Sequence, residues 1–221
     1  MGTKLSAKNI FKVYKTKAGD TNAINGISLD FEEGLIYAII GKSGSGKSTL
    51  IHILGGLDKP TEGDIIIDDT NILSYSDEKM AIFRRRYMGF VFQQFNLIED
   101  YSVKNNICMP VKLDGKKVDE KFLAEIAKVL EIEDLFNKYP DELSGGEQQR
   151  VAIARAIIAK PELIFADEPT GNLDKKTGDK TIELLFSCAK KLGQTLIIVT
   201  HDLELAKKAD RIIQIEDGKV I

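Results

Sequence analysis

Residues 41–48 read GKSGSGKS and residues 143–150 read LSGGEQQR, two stretches built to hold phosphate in one polypeptide. In the first, Gly41, Gly46, Lys47 and Ser48 satisfy G-x-x-x-x-G-K-[ST]. Such a loop needs glycine because its backbone N–H groups must close on the phosphates where a Cβ would obstruct. Lys47 is suited to the β- and γ-phosphates and the Ser48 hydroxyl to Mg²⁺. In the second, Ser144 is an N-cap candidate, and Gly145 and Gly146 leave the first N–H groups of the following helix free to meet an anion. Taken alone, a Ser-Gly-Gly helix start is also an ordinary capped terminus. A third group is acidic: Asp167 and Glu168 follow the apolar run at 163–166. Asp167 suits an acid that supports Mg²⁺ in a phosphate-loop ATPase, and Glu168 suits the base that polarises an attacking water. The turn Glu168-Pro169-Thr170-Gly171 is the structural alternative, since a turn can itself place acids at a strand end.

These groups need elements to hold them. The apolar run at 35–40 predicts a buried strand entering the loop, and Lys47 and Ser48 open a helix reaching about Leu54. A helix over 147–159 ends before Lys160-Pro161, which is a stop signal. Strands are expected at 5–14, 23–31, 64–68, 195–200 and 211–216, with a turn at 59–63 and a hairpin-type turn at Asp217-Gly218. Helices are expected at 77–86 and around 182–189, where Ile182, Leu185, Phe186 and Ala189 share a face. Between Gln93 and Ser144 the strand signal stops, while Phe122, Ile126, Val129 and Leu130 recur at helical spacing, which implies a helical insertion. His52 lies inside the loop helix and is read as a packing residue.

At 221 residues the chain suffices for one well-cored α/β domain with room for a small subdomain. A net charge of −3 argues against an extended nucleic-acid surface. Cys108 and Cys188 stand far apart, outside any metal spacing, and point to packing in a reducing compartment. No apolar run approaches the roughly 18 residues of a membrane span, so any path across a bilayer belongs to another polypeptide. The opening MGTKLS formally matches a myristoylation pattern, a match too short to carry weight.

The order GKSGSGKS, GFVFQQ, LSGGEQQR, LIFADEP, GNLD and IIVTHD resembles the ATP-binding-cassette family over nearly the whole chain. In detail, GGLDKPTEGDI, GFVFQQFNLI and ADEPTGNLD resemble the ATPase subunits of macrolide export, lipoprotein release and bacitracin-type peptide resistance. The resemblance implies an α/β fold: a P-loop NTPase (RecA-like) core with an N-terminal antiparallel β subdomain and an inserted α-helical subdomain. It implies one domain over 1–221, with core 1–93 and 145–221 and helical subdomain about 95–144.

The resemblance also distributes roles. Residues Gly41, Lys42, Ser43, Gly44, Ser45, Gly46, Lys47, Ser48 and Thr49 would bind ATP, with Tyr14 stacking on adenine or, alternatively, packing in the core. Mg²⁺ would be held by Ser48 and Gln93, with Asp167 supporting it from behind. Gln93, more than Gln94, would sense the γ-phosphate, although an amide at a strand end can simply cap a loop. Glu168, His201, Gln93 and Lys47 would be the catalytic set; a lone histidine after a strand is otherwise structural. Asp174 would cross to the opposite subunit, or cap the helix beginning at Lys175. Ser144, Gly145, Gly146 and Gln148 would bind ATP held by a second copy, making a two-fold dimer with two shared sites. The family's partners are a second ATP-binding subunit and a transmembrane permease, with no nucleic acid, at the cytoplasmic face of the cell membrane. A groove beside Gln93 receives a short helix of the membrane subunit; Phe95, Leu97, Ile98 and Tyr101 are the docking candidates or else subdomain core. Arg84, Arg85 and Arg86 would face solvent, lipid headgroups or that partner.

Other phosphate-loop classes fit worse. A GTPase needs N-K-x-D, and the nearest string, Asn137-Lys138-Tyr139-Pro140, has proline for the acid. A small-molecule kinase has no use for LSGGEQQR. Chromosome-maintenance members carry long coiled coils and translation factors carry two cassettes, and this chain has neither. A cell-division-type ATPase, which pulls on a membrane partner without transport, is the remaining rival, and GFVFQQFNLI leans toward the exporter type.

Overall fold

Alternation along the strands explains the layers. In the computed structural model, which describes residues 3–17 and 19–221, six strands form one sheet in the order β10-β9-β3-β8-β7-β6. They are β3 (Ile36–Ile40), β6 (Met88–Phe92), β7 (Leu163–Asp167), β8 (Thr195–Val199), β9 (Arg211–Glu216) and β10 (Lys219–Val220). All pairs are parallel except the β9–β10 hairpin at the edge. That hairpin turns at Asp217 and Gly218, both left-handed, as the Asp-Gly pair predicts.

In the central strands successive residues go to opposite cores. Ile36, Ala38, Ile164, Ala166, Leu196 and Ile198 join one apolar cluster, while Tyr37, Ile39, Leu163, Phe165, Ile197 and Val199 join the other. A parallel sheet covered on both faces requires such near-continuous apolar strands. One cover is α1 (Lys47–Leu54) with the second, antiparallel sheet, β2-β1-β4-β5, made of β1 (Thr3–Thr16), β2 (Gly19–Glu32), β4 (Glu62–Ile67) and β5 (Thr70–Asn71). The other cover is α5 (Gly145–Ile157) and α6 (Lys175–Leu192), whose cluster continues into α3 (Val103–Leu113) and α4 (Glu120–Val129). The remaining helices are α2 (Asp77–Tyr87) and the single turn α7 (Leu203–Ala206). The fold is thus the α/β P-loop arrangement with its antiparallel β and helical additions. Met1, Gly2 and Ala18 lie outside the described residues, and the N-terminal lipidation pattern with them.

The helical insertion is bolted to the core at several points. Buried Asn106 accepts from Ile98 N (2.8 Å) and donates to the carbonyls of Ile98 and Tyr101, pinning the segment after β6 onto α3. The Arg155 guanidinium, from α5, donates to the carbonyls of Phe95 and Asn96. The arginine run has partners within the chain, although Arg86 stays exposed. Arg84 donates to Gly56 O at 2.7 Å, and Arg85 and Arg86 converge with Lys116 on the almost fully enclosed Asp114. Hydrogen bonds from Lys116 and the arginines hold that carboxyl well below the usual carboxylate range. Among the described residues, no helix is long and apolar enough to cross a membrane.

Candidate functional site

Parallel register brings four strand ends to one edge. Phe92 pairs with Asp167, Asp167 with Val199, and Ile39 also with Val199, so the loops after β3, β6, β7 and β8 emerge together. Ligands of open α/β sheets bind at this carboxyl edge.

After β3 the chain wraps through 41–46 into α1. Gly41 has φ +153° and a Cβ there would stand 2.1 Å from Ile215 O; at Gly46, with φ +100°, it would stand 2.3 Å from Ala23 O. Only glycine fits either place. Gly46 is the N-cap of α1 and supplies no side chain, and the first turn holds no acid, so the helix presents bare N–H groups and positive potential to the loop. Lys47, buried, donates from Nζ to the carbonyls of Gly41 (2.9 Å) and Lys42 (2.8 Å). The Ser45 hydroxyl is enclosed by the loop and has no protein hydrogen-bond partner, as a cradle for polar oxygens would leave it. Lys42 itself reaches outward to Glu216.

Behind the loop the Ser48 hydroxyl donates to Asp167 Oδ1 at 2.9 Å. These are hard oxygen donors, which suits Mg²⁺ held mainly by phosphate oxygens and water. The other oxygen of Asp167 lies 3.3 Å from His52 Nε2, and the His52 ring sets its edge toward Phe92. His52 thus packs on Phe92, as expected of a packing residue, and that packing also sets it beside the Asp167 carboxylate. The signal was present in the spacing: Ser48 and His52 are i and i+4, on one helix face.

Next to Asp167, Glu168 adopts φ +44°, a left-handed conformation costing ~1–3 kcal/mol for a non-glycine residue. Its N–H donates to Val199 O (3.1 Å) and its carbonyl accepts from Gly171 N (3.0 Å), which hold it there. His201, reached from the end of β8, puts Nδ1 3.5 Å from Glu168 Oε2. The pair can handle a proton at the mouth of the loop.

Gln93, one residue past β6, exchanges hydrogen bonds with Asn172: its amide donates to Asn172 Oδ1 (3.2 Å) and its carbonyl accepts from Asn172 Nδ2 (2.9 Å). Asn172 lies in the GNLD stretch, from which only Asp174 was given a role. Asp174 caps α6, accepting from Thr177 N at 3.1 Å, so its bland reading is realised within one copy. Ser144 caps α5 reciprocally with Glu147: Ser144 N donates to Glu147 Oε2 at 2.8 Å, and Ser144 Oγ accepts from Glu147 N at 3.4 Å. Hydrogen bonds from the Ser144 hydroxyl and N–H hold the Glu147 carboxyl below its ordinary range. Gly145 faces Phe95 and Leu173, Gly146 packs on Thr177, and Gln148 donates to Leu143 O. Ser144 is exposed. Tyr14 is partly exposed near the end of β1 rather than buried, and its phenol donates to Asp58 Oδ2 at 2.8 Å.

Beside the segment after Gln93 lies a cleft of about 510 Å³, lined by Leu57, Arg84, Phe90, Met109, Leu113 and Arg155 among others. None of Phe95, Leu97, Ile98 and Tyr101 lines it; Leu97 packs against the core, while Ile98 and Tyr101 are exposed elsewhere.

A family model described as ABC transporter matches residues 24–171. The ABC transporter ATP-binding protein MJ1508 of Methanocaldococcus jannaschii is 44% identical over 98% of this chain and 97% of its own length. The lipoprotein-releasing system ATP-binding protein LolD of Blochmanniella floridana is 44% identical over 97% of this chain and 92% of its own. Among solved structures, the dimeric post-hydrolysis state of the ATP-binding cassette MJ0796 bound to ADP and Pi superposes with TM-score 0.89 at 42% identity, covering 98% of this chain and 96% of that one.

Proposed function

The chain belongs to the ABC transporter family and is an ATP-hydrolysing subunit, and from that premise we propose that two copies close head to tail around two ATP molecules to drive a membrane partner. The observation that carries this reading is the convergence, at one sheet edge, of the phosphate loop, the Ser48–Asp167 pair and the Glu168–His201 pair. In each copy residues 41–49 cradle the triphosphate, with Lys47 on its β- and γ-oxygens and Tyr14 against the base. Ser48, Gln93 and Asp167 are the residues that would hold Mg²⁺, whose chemistry when bound is to neutralise phosphate charge. Glu168 takes the proton of the attacking water, His201 steadies Glu168 and the γ-phosphate, and Gln93 reports whether that phosphate is present.

Ser144, Gly145, Gly146 and Gln148 serve the other copy's ATP. Their own contacts run to neighbours in α5, α6 and the insertion, and exposed Ser144 leaves the helix start open to a second molecule. The dimeric state of the similar MJ0796 cassette supports this arrangement. Asp174 and the loop around it would lie at the same junction. ATP then favours the closed pair because its γ-phosphate makes contacts that hydrolysis removes. We read the chain as one domain, with core 1–93 and 145–221 and a helical part at about 95–144. The membrane partner's short helix is assigned to the 510 Å³ cleft, whose apolar floor and arginine rim adjoin the Gln93 joint. Peripheral attachment at the cytoplasmic face of the membrane follows. The lipoprotein-release relatives support extraction or export of lipoproteins, peptides or antibiotics over the cell-division role.

Glu168→Gln tests the core of this reading. With ATP and Mg²⁺ the variant should release no phosphate yet elute as a dimer in size-exclusion chromatography. A variant that stays monomeric and still hydrolyses ATP refutes both the base and the shared site.

A further inference from the structure

Past the end of α1, Asp58 occupies a position that the phosphate chemistry does not explain. Its backbone N–H donates to His52 O at 3.2 Å, fastening it to the phosphate-loop helix. Its two carboxylate oxygens accept from side chains of β1. Oδ2 accepts from the Tyr14 phenol at 2.8 Å, and Oδ1 accepts from Lys12 Nζ at 2.7 Å and from Lys59 N at 2.7 Å. The Lys12 ammonium also donates to Lys59 O at 2.6 Å and sits 4.8 Å from the centroid of the Tyr14 ring. The Tyr14 hydroxyl further interacts with the Thr49 side chain in the first turn of α1. One exposed aromatic ring is thus tied by its hydroxyl to Asp58, just past the helix that carries the phosphate loop.

A surface tyrosine near the end of a hairpin would ordinarily sample several rotamers, and ordering it on binding would cost entropy. Here the ring is ordered beforehand. Burial opposes ionisation of Asp58, but the hydrogen bonds from Lys12 and Tyr14 outweigh it and keep the carboxyl below its ordinary range, so the acceptor is charged at neutral pH. Lys12 meets the ring electrostatically, as a cation near a π face.

We propose that Asp58 is a positioning residue for nucleotide binding: its carboxylate fixes the Tyr14 phenol and the Lys12 ammonium so that the Tyr14 ring meets the base in one prearranged geometry. The inference rests on the reading of Tyr14 as the base-stacking residue. Preorganisation of this kind raises affinity by lowering the ordering cost. Because stacking tolerates any base, the clasp strengthens binding of purine nucleotides generally and does not choose between ATP and GTP.

Isothermal titration of the full chain with ATP, GTP and inorganic triphosphate tests this. Asp58→Ala and Tyr14→Phe should each weaken ATP and GTP by roughly three- to tenfold, the loss of a charge-assisted hydrogen bond that is partly exposed. Combining them should add no more than about twofold, since both remove the same bond. Inorganic triphosphate, which has no base, should bind all variants alike, and Asp58→Asn, which keeps an acceptor oxygen, should recover most of the affinity. If Asp58→Ala binds triphosphate as poorly as it binds ATP, Asp58 acts through α1 and the inference fails. Unchanged ATP affinity in both Asp58→Ala and Tyr14→Phe, alongside a loss in Tyr14→Ala, overturns the clasp but leaves base stacking standing. No loss in Tyr14→Ala overturns the stacking itself. Should Asp58→Ala fold poorly, Tyr14→Phe probes the same bond from an exposed side chain.

Discussion

Replacing Gly171 by alanine separates the chemistry of Gln93 from the stability of the fold. Gly171 lies in the turn after Glu168, outside the left-handed region, so its backbone accepts a Cβ without strain. The obstacle is Gln93: the new Cβ would stand 2.7 Å from Nε2 and 2.8 Å from Cδ. Ordinary contact begins near 3.4 Å, so the amide must retreat by about 0.7 Å. It is the mobile end of a long side chain and can do so cheaply. The retreat costs the Gln93–Asn172 hydrogen bond, about 0.5–1.5 kcal/mol, while Gly→Ala at a compatible site returns ~0.4–1 kcal/mol through the unfolded chain. The melting temperature should therefore shift by no more than about 4 °C. Hydrolysis should fall much further, about 10- to 100-fold, because misplacing a positioning group by a fraction of an ångström removes its contribution to the reacting geometry. ATP affinity, set by the loop, should change less than about twofold. Thermal melts, titration and steady-state phosphate release measure the three quantities on one preparation. Gln93→Ala should match the kinetic loss, and the double variant should add nothing to it. Phosphate release within twofold of the parent would refute the claim that this amide must hold its place. A collapse of stability would refute the steric account of the turn.

Ser144→Arg should abolish phosphate release, through the shared site, while ATP affinity of the single copy stays within about twofold; loss of binding would put Ser144 in its own pocket. That variant also removes a helix cap, so its folding should weaken by ~0.5–2 kcal/mol, measured by urea unfolding. Alkaline stability depends on Cys188, whose thiol is pushed up to about 11 by burial in α6. In the unfolded chain it ionises near pH 8.5. The folded state therefore holds the proton longer, and the contribution, complete below about pH 8.5, is lost as pH rises through about 11. Between pH 8 and 10.5 the parent should lose roughly 2 kcal/mol more than Cys188→Ala in urea unfolding, and equal losses would show that the thiol is not responsible.

The site was legible where its signals are local. Gly41 to Ser48 declares a strand, a loop and a helix within a dozen residues, and the observed α1 begins at the expected lysine. Ser144 and Asp174 cap the helices they precede, because a cap requires only residues three positions apart. The apolar run at 35–40 likewise announced a buried strand, observed as β3. Contacts between distant segments were not legible in this way. His52 was assigned to packing, and it does pack on Phe92, but its 3.3 Å approach to Asp167 had no local mark. The arginines at 84–86 read as a solvated face, and Arg86 is exposed, but their partners Gly56 and Asp114 could not be seen from the local pattern. The docking candidates were drawn from 95–101, whereas the cleft takes only Asn96 from that segment and is built mainly from α2, α3, α5 and β6, with Leu57 beyond the end of α1.

The residues by themselves determined a phosphate loop set between a buried strand and a helix and the chemistry that loop can perform, while the rest of the α/β fold was implied by the family resemblance that the motif order carries. The register of β6, β7 and β8 against β3 decided which of those residues meet: it sets Asp167 beside Ser48 and His52, Glu168 beside His201, and Gln93 beside Asn172. Pairs such as Lys12–Asp58 and Tyr14–Asp58 lie more than forty residues apart and follow from how β1 packs beside the end of α1. A turn or a cap is encoded by its own few residues, whereas a contact across such distances exists only once the whole core has closed around it.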